Sequence, residues 1–517
     1  MNRCAASIAA SPTTVRGNLR VRPLAACLAL PLAVANLASS SALAATLPVA
    51  NCNDAGSGSL RDTVARARSG DTVDLRALSC GGLISLVSGE LAINVADLSL
   101  IGPGASNLTL DDGGLVRAHS ILNHRGSGTL RVERLSVAGP GGAYTIVGNA
   151  GVPASACITS NGTLVLDHAV LTQCKNSNGG AIVRGLLMQD STVSLNNRNG
   201  VTTRGGPVSI ANSTISGNNG YNCVAMNIGE SDANGDRATI RNSTISDNIA
   251  GYTGTSAGCI HRPVTITSST VAFNANYCGL GCGTPVDDVA LFIDSTDVTI
   301  DSTIFSNSTT ALISSPPHPV YDVLIPAGAL ITGHNNLMMG GVKAGQAPTD
   351  TIKADPLLQA LADNGGPTKT HALGAGSPAI DAGNNLAALP SDQRGLPFLR
   401  VFGARPDIGA VESQTAPLNN VSIGPDFTGS WFDPAQNGHG LMLEVLPGNR
   451  LLALWFAFNP EGTQQSWFGG VGTYGGDTAV ITDVALPTGG AWIPNFDPNK
   501  IVRNPWGTLT LAFTDHD

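Results

Sequence analysis

The chain has 517 residues, enough for more than one domain, and charged residues make up only 13% of it. The formal net charge of −9 argues against a nucleic-acid-binding protein, because such a protein needs a basic surface to neutralise phosphates. Hydrophobic residues account for 42% of the chain, which argues against intrinsic disorder.

Residues 1–44 have the pattern of a secretory signal peptide. Arginines without any acidic residue precede an apolar run from Leu24 to Leu37, and Ala42-Leu43-Ala44 forms a small-x-small cleavage site. The run is shorter than the roughly 20 residues that span a bilayer, so we favour export over a membrane anchor. We therefore expect a secreted protein, extracellular or at the cell surface, without a transmembrane segment after signal removal.

Eight cysteines follow the predicted cleavage site, and an even number in an exported chain indicates disulfides. We expect cysteines that are neighbours along the chain to pair, although spacing alone does not fix connectivity. The last two would also suit half of a zinc site, but no second pair or suitably spaced His accompanies them. The expected pairs are Cys52–Cys80, Cys157–Cys174, Cys223–Cys259 and Cys278–Cys282.

A seven-residue motif recurs seven times between residues 133 and 307, with starts 22 to 34 residues apart. Asn212-Ser-Thr-Ile-Ser-Gly-Asn and Asn242-Ser-Thr-Ile-Ser-Asp-Asn are typical copies, and a short alternating run precedes most of them. Short strands at a near-constant spacing, with insertions confined to the loops, are typical of a solenoid.

Two positions of the motif predict the interior of this solenoid. The fourth position carries a β-branched aliphatic residue, which would stack in parallel coils about 4.8 Å apart. It holds Val170, Val193, Ile215, Ile245, Val271 and Ile304. The seventh position carries an amide, and stacked amides can each donate a hydrogen bond to the next. We expect this amide ladder at Gln173, Asn196, Asn218, Asn248, Asn274 and Asn307.

These patterns predict an all-β protein built on a right-handed, single-stranded parallel β-helix. The strands are not separated by helical segments, which excludes a leucine-rich repeat, and an antiparallel sandwich would not repeat one motif with an amide at one column. Residues 45–97 should form an N-terminal cap and first coil, with a short helix at Ser59–Arg68 burying Leu60, Val64 and Ala67. The β-helix proper should extend over residues 98–412.

Two stretches carry a family resemblance. The stretch from Asn51 to Val64 resembles the opening of secreted bacterial β-helix proteins of the pectin-lyase-like superfold. A later stretch, from about residue 345, resembles the closing module called choice-of-anchor Q; its marks are Ala354-Asp-Pro-Leu-Leu, Asp363-Asn-Gly-Gly-Pro-Thr, Gly376-Ser-Pro-Ala-Ile-Asp-Ala-Gly, Asp392-Gln-Arg-Gly and Asp407-Ile-Gly-Ala-Val-Glu. The resemblance implies a secreted or surface-displayed β-helix and no particular reaction.

Charged residues of that closing module have two interpretations. Arg394, Arg405, Asp407 and Glu412 could form an active site, but such groups more often form a structural ion network. We expect them to tie down the last coil.

The C-terminal part of the chain has a different composition. Residues 413–425 are predicted to form a linker, and residues 426–517 a small all-β domain that holds all five Trp. It looks like a Trp-rich module of other secreted bacterial proteins, and because such modules usually continue further, we expect this copy to lack its last strands. Exposed Trp rings stack on sugar rings, although core packing is the commoner use of Trp. The candidate ligand-binding residues are Trp431, Trp467 and Trp492.

Catalytic and metal sites are not predicted. Asp111-Asp112 and Asp287-Asp288 are neighbouring carboxylates that would point to opposite faces of a strand, and Asp167 and Asp190 occupy a turn column that elsewhere holds Asn or Ser. A lyase of this superfold would need a basic residue beside an acidic calcium-binding cluster, and the repeats contain a single Lys, Lys175. We predict no cofactor.

The sequence therefore favours a non-catalytic function: an extracellular protein that binds a glycan or a cell-surface component. The alternative is a polysaccharide lyase or glycoside hydrolase acting on an extracellular glycan, which the superfold alone suggests.

Overall fold

The structure is a computed structural model of the chain. It describes residues 44–113, 120–139, 156–174, 179–230, 236–252, 254–278, 289–312, 318–319, 321–414, 423–432, 438–459, 462–476, 478–491 and 493–513.

The main part of the molecule is a parallel β-helix, as predicted. Each coil passes through three parallel ten-stranded sheets in turn, which we number 1 to 3. Sheet 1 contains Thr46–Pro48, Thr72–Asp74, Leu98–Ile101, Thr129–Glu133, Thr163–Asp167, Gly185–Gln189, Val208–Ala211, Ala238–Arg241, Val264–Thr267 and Val298–Asp301. Sheet 2 contains Leu83–Ser85, Thr109–Asp111, Ser136–Ala138, Val170–Thr172, Thr192–Ser194, Thr214–Ser216, Thr244–Ser246, Thr270–Ala272, Ile304–Ser306 and Leu337–Met338. Sheet 3 contains Leu91–Ile93, Leu122–His124, Ile158–Ser160, Ala181–Val183, Val201–Thr203, Met226–Ile228, Gly258–Ile260, Val289–Ile293, Tyr321–Leu324 and Val342–Lys343.

A smaller fourth sheet forms where some coils lengthen between sheets 2 and 3. It contains Asn219–Gly220, Ile249–Tyr252, Ala275–Cys278, Thr309–Leu312 and His318–Pro319.

The alternating pattern of the strands explains the core. In the strand Val264–Thr267, Val264 and Ile266 are buried while Thr265 faces outward, as the two-residue period of a strand requires. Equivalent aliphatic side chains from successive coils form one continuous cluster that extends from Val49 to Met338. Burial of this interior stabilises the solenoid, because each coil covers the apolar side chains of its neighbours.

A tight corner separates sheet 1 from sheet 2. Its first residue has a positive φ in successive coils, 48° at Asp190, 48° at Asn212 and 44° at Asn242. Asp and Asn tolerate this left-handed conformation better than most residues, which explains the residue types at the start of the motif.

The amide ladder contains four asparagines. The Nδ2 of Asn196 donates to Oδ1 of Asn218 at 2.8 Å, Asn218 donates to Asn248 at 2.9 Å, and Asn248 donates to Asn274 at 3.0 Å. Each Oδ1 also accepts the backbone N–H of the preceding member, so the buried turn groups are satisfied.

Gln173 and Asn307 lie outside this ladder, because the register of their segments is shifted by one residue. Leu171 pairs with Val193, and Cys174 donates its backbone N–H to Asn196. In the same way Phe305 pairs with Val271, so Val170 and Ile304 do not occupy the fourth position. Gln173 (φ 55°) and Asn307 (φ 51°) occupy the left-handed residue just before the ladder, where a side chain points away from the core.

A second ladder, of hydroxyl groups, follows the second position of the motif. Ser213 Oγ accepts the backbone N–H of Ser191, Ser243 Oγ accepts that of Ser213, and Ser269 Oγ accepts that of Ser243. We did not predict this ladder, although the Ser in nearly every copy of the motif is its sequence signal.

The predicted N-terminal helix is present at Leu60–Arg66. Ser59 caps it by accepting a hydrogen bond from the backbone of Asp62, and Leu60 and Val64 are buried in the core cluster. The helix thereby covers apolar surface at the first coils.

Three of the four predicted disulfides are confirmed: Cys52–Cys80, Cys157–Cys174 and Cys223–Cys259. The fourth predicted pair, Cys278–Cys282, lies outside the described residues, since the position of Cys282 and the side chain of Cys278 are not described. The three bridges each join chain segments from neighbouring turns of the solenoid and restrict the unfolded chain.

Residues 345–414, which we call the return segment, lie against the outer face of sheet 2. Lys369 O accepts a hydrogen bond from Thr214 Oγ1 at 2.6 Å, and the backbone N–H of Ala410 donates to Thr270 Oγ1 at 3.0 Å. Ile408 packs in a small apolar cluster with Ile304 and Leu337. The segment therefore extends over four coils, from Thr214 back to Ser302, in addition to contacting the last one.

The C-terminal residues form a separate antiparallel sheet of six strands in chain order. Its strands are Gly429–Trp431, Gly440–Leu446, Arg450–Phe458, Gln465–Gly475, Thr478–Gly489 and Ile501–Ala512. One face buries a core that includes Phe427, Leu451, Ile481 and Phe513. The sequence predicted a small all-β domain here, although Gly interrupts Gln465–Gly475 and hides the alternation of that strand.

Candidate functional sites

Aromatic side chains lie on both faces of the C-terminal sheet. Phe456 is directly opposite Trp467, and Trp455 is directly opposite Phe468. Because successive side chains of a strand point to opposite faces, the first pair lies on one face and the second on the other.

The face that carries Trp467 is exposed. Trp467 is 47% exposed and Phe456 is 41% exposed, with further exposed apolar side chains on the same face. We call this surface the aromatic face; it consists of Met442, Phe456, Phe458, Trp467 and Val471. An exposed apolar surface of several neighbouring side chains marks an interaction site.

The other predicted ligand-binding tryptophans do not join this face. Trp431 packs in the core of the C-terminal sheet, where its ring stacks on Phe427 at 5.7 Å and its Nε1 donates to Phe427 O. Trp492 lies outside the described residues. Trp506, which we did not single out, is 46% exposed but contacts Trp455 and Phe468 on the opposite face.

A groove follows the outer face of sheet 2 beyond the tip of the return segment. It consists of two adjoining cavities of about 400 and 490 Å³, and Val170, Thr192 and Pro367 line both. Arg134, His168 and Asp190 line the first cavity, and Asp247 and Lys369 line the second. The groove thus combines hydroxyl groups with charges of both signs.

Charged side chains form a network at the corner beside the first cavity. His168 Nδ1 lies 2.6 Å from Asp167 Oδ1, and His168 Nε2 lies 3.9 Å from Asp190 Oδ2. Arg131 forms ion pairs with both Asp167 and Glu133. Asp167 thus contacts Arg131 and His168, and Asp190 accepts a hydrogen bond from the amide of Gln189.

Asp167 and Asp190 do not stack in one column, although both lie beside His168. Asp167 ends a strand of sheet 1 whereas Asp190 is a corner residue, so the two belong to different columns. Asp112 is buried and Asp111 Oδ1 accepts the backbone N–H of Gly113. Asp287, Asp288 and Lys175 lie outside the described residues.

The charged residues of the return segment form a buried ion cluster. Arg394 pairs with Asp392 at 2.6 Å, and Arg400 pairs with Glu412 at 3.0 Å, with both side chains of the second pair fully buried. Asp407 accepts backbone N–H groups of Asp381 and Ser413. Burial raises the pKa of the Asp407 and Glu412 carboxyls, and hydrogen bonds from backbone donors oppose that shift.

The geometry of this cluster fits a structural role, since its charged groups form hydrogen bonds with one another and with the backbone. Arg405 lies at its edge, where it donates to Gly383 O. The sequence analysis missed Arg400, because nothing in its surroundings along the chain marks it as the partner of Glu412.

A separate buried carboxylate lies in sheet 3. Asp322 is 2% exposed, and its Oδ2 accepts the backbone N–H groups of Gly340 and Gly341. Burial raises the pKa of Asp322 to about 8, and the two hydrogen bonds oppose the shift.

Within the described ranges, no three His, Cys, Asp or Glu side chains come close enough to hold a metal ion. No helix in the same residues is long and apolar enough to cross a membrane. Neither a family model nor a curated protein matches the chain.

Proposed function

We propose that this chain is an extracellular binding protein that attaches to glycans through the aromatic face of its C-terminal domain. The observation that carries the proposal is the pairing of two exposed rings, Trp467 and Phe456, directly opposite each other on neighbouring strands. Side chains directly opposite each other on neighbouring strands are about 5 Å apart, so the two rings lie side by side and form an apolar platform. Such a platform suits the apolar face of a pyranose ring.

Polar groups at the edge of the platform support the same function. Gln465 and Glu444 lie on the same face as Trp467, as the strand pairing shows, and both are exposed. An apolar platform with a few polar neighbours is the usual composition of a site that orients a polar ligand.

The three disulfides support an extracellular location, because such bonds form and persist in oxidising compartments. The parallel β-helix supports membership of the pectin-lyase-like superfold. The proposal also includes a choice-of-anchor Q type closing module and export by the signal at residues 1–44, both of which rest on the sequence. In this proposal the β-helix is a rigid stem.

The test is retention of the full mature chain on insoluble cellulose, chitin and peptidoglycan, together with titration of soluble oligosaccharides. We expect Trp467→Ala to lower the affinity for the retained glycan at least about tenfold, since the ring supplies the stacking surface. Trp506→Ala is the matched control, because Trp506 is equally exposed but lies on the opposite face.

Equal retention of Trp467→Ala and the wild-type chain would contradict the proposal, and so would retention on none of the polymers. Mass spectrometry of the supernatants tests the enzymatic alternative in the same experiment. Shortened oligosaccharides there would replace a binding function with that of a lyase or a hydrolase.

A further inference from the structure

The return segment shows what the outer face of sheet 2 binds. It is a non-helical stretch of polypeptide with several turns, and the outer face of sheet 2 binds its backbone as well as the side chains of His371 and Gln393. Thr214 Oγ1 donates to Lys369 O, Asn242 Nδ2 donates to Ser391 O at 2.8 Å, and Thr270 Oγ1 accepts the backbone N–H of Ala410. Columns of hydroxyl and amide side chains on this face and at its corner therefore bind backbone groups of a polypeptide.

The same columns continue past the tip of the segment. Thr214 pairs with Thr192, which pairs with Val170, which pairs with Ser136. These pairings add three coils to the surface, or about 14 Å at the spacing of neighbouring strands. In the neighbouring column Thr172 Oγ1 lies 3.2 Å from Ser194 Oγ, so hydroxyl groups also continue there.

The part of this surface that the described residues leave open is concave where the segment ends. The two cavities of the groove follow it, and Pro367 at the tip of the segment forms a wall of both. A peptide in the groove would thus lie directly beyond the tip of the return segment.

The corner residues differ between the coils that the return segment contacts and the coils beyond its tip. Under the segment they are neutral and contact it directly: the Thr368 hydroxyl donates to Asn212 O, and Ser302 Oγ donates to Asn384 O. In the coils beyond the tip of the return segment, the same corner position carries a charge or an imidazole. Its residues there are Arg134, His168 and Asp190, all with positive φ.

We propose that the groove between Ser136 and Thr214 binds an extended segment of a partner polypeptide, with an acidic side chain against Arg134 and a basic one against Asp190. The two corner residues are two coils, or about 10 Å, apart, which is the span of about three residues of extended chain. The partner motif is therefore an acidic and a basic residue three positions apart. This site is independent of the aromatic face.

The experiment is selection of peptides from a displayed random 12-residue library on the immobilised full chain, followed by fluorescence polarisation of the selected peptides. We expect enrichment of peptides with an acidic and a basic residue three positions apart. Arg134→Glu should weaken their binding at least tenfold, whereas Arg503→Glu, the same exchange at an exposed residue of the C-terminal domain, should leave it unchanged.

Arg134 is exposed, so its replacement should not unfold the chain, and an unchanged denaturation midpoint checks this. Absence of any enriched peptide would overturn the proposal, as would equal binding of the peptides to Arg134→Glu and the wild-type chain. Oligosaccharides that bind in an Arg134-dependent manner where no peptide does would make the groove a glycan site and would equally overturn it.

Discussion

The imidazole Nε2 of His371 lies 2.6 Å from the hydroxyl of Ser246, and this contact joins the return segment to sheet 2 across 125 residues of sequence. The other ring nitrogen, Nδ1, lies 2.7 Å from Gln359 O, and Asp247 Oδ2 lies 2.8 Å from the hydroxyl oxygen of Ser246. Both residues are buried, so this is a fixed point of attachment between the two parts.

Acid should loosen this attachment. Burial lowers the pKa of His371 below its usual value of 6.5, although Asp247 and the bond to Gln359 oppose the shift. The detached or unfolded chain therefore takes up a proton at a higher pH than the folded chain does, and stability is lost as the pH falls through 6.5.

We expect amides of residues 345–414 to exchange hydrogen faster, relative to other regions, at pH 5.5 than at pH 7.5. His371→Gln, which does not titrate, should reduce this dependence. An identical pH dependence in the variant would show that another group is responsible.

Asp322 should act in the opposite direction. Its pKa is raised from 3.8 to about 8 in the folded chain, so the folded state holds a proton that the unfolded state has already lost between these two values. Stability contributed at this site therefore declines as the pH rises from about 4 to 8.

Asp322→Asn should remove that loss and stabilise the chain at pH 7, by on the order of 4 kcal/mol, since each pKa unit corresponds to 1.36 kcal/mol. The measurement is the urea midpoint from pH 4 to 8. A wild-type midpoint that does not fall relative to that of the variant would refute the assignment.

The amide ladder predicts a sharp contrast between neighbouring positions. Asn218→Ala should cost at least about 2 kcal/mol, because it leaves the backbone and side-chain donors of Asn196 without their acceptor. Gln173→Ala and Asn307→Ala should each change stability by less than about 0.5 kcal/mol, because both side chains lie outside the ladder. Thermal or chemical denaturation of the three variants tests this register. Comparable losses of stability in all three would support the alignment predicted from the sequence, in which Gln173 and Asn307 belong to the ladder.

The buried pair of the return segment should be costly to break. Glu412→Gln leaves the guanidinium of Arg400 buried without a carboxylate, and we expect a loss of about 3–5 kcal/mol. The double variant Arg400→Met, Glu412→Gln should recover part of it, because no unpaired charge remains. If Glu412→Gln alone were neutral by denaturant titration, the pair would have no role in holding the segment.

Local periodicity was sufficient to predict the parallel coils and the four central asparagines, and pairing of cysteines that are neighbours along the chain predicted three disulfides. It placed Asn307 in the ladder because the left-handed residue just before the ladder also favours Asn, so one residue type serves two positions. The register follows from the strand pairing, which a single sequence does not display.

Contacts between distant segments could not be predicted at all. Hydrogen bonds of His371, Gln393 and Lys369 with sheet 2 join residues more than 120 positions apart, and no residue pattern along the chain indicates which residues pair. The aromatic face was only partly predictable, because composition located the tryptophans but strand register decided that Trp467 is exposed and Trp431 is not.

The return segment also restricts the number of coils in the C-terminal part of the solenoid. Its bonds to Thr214 at one end and Ser302 at the other require a set number of coils between them, so insertion or deletion of a coil in that interval would misalign every contact. Coils on the N-terminal side of Thr214 carry no such constraint. Gain or loss of whole coils during evolution should therefore be confined to that side. The length of the groove can then change while the C-terminal half of the solenoid stays constant.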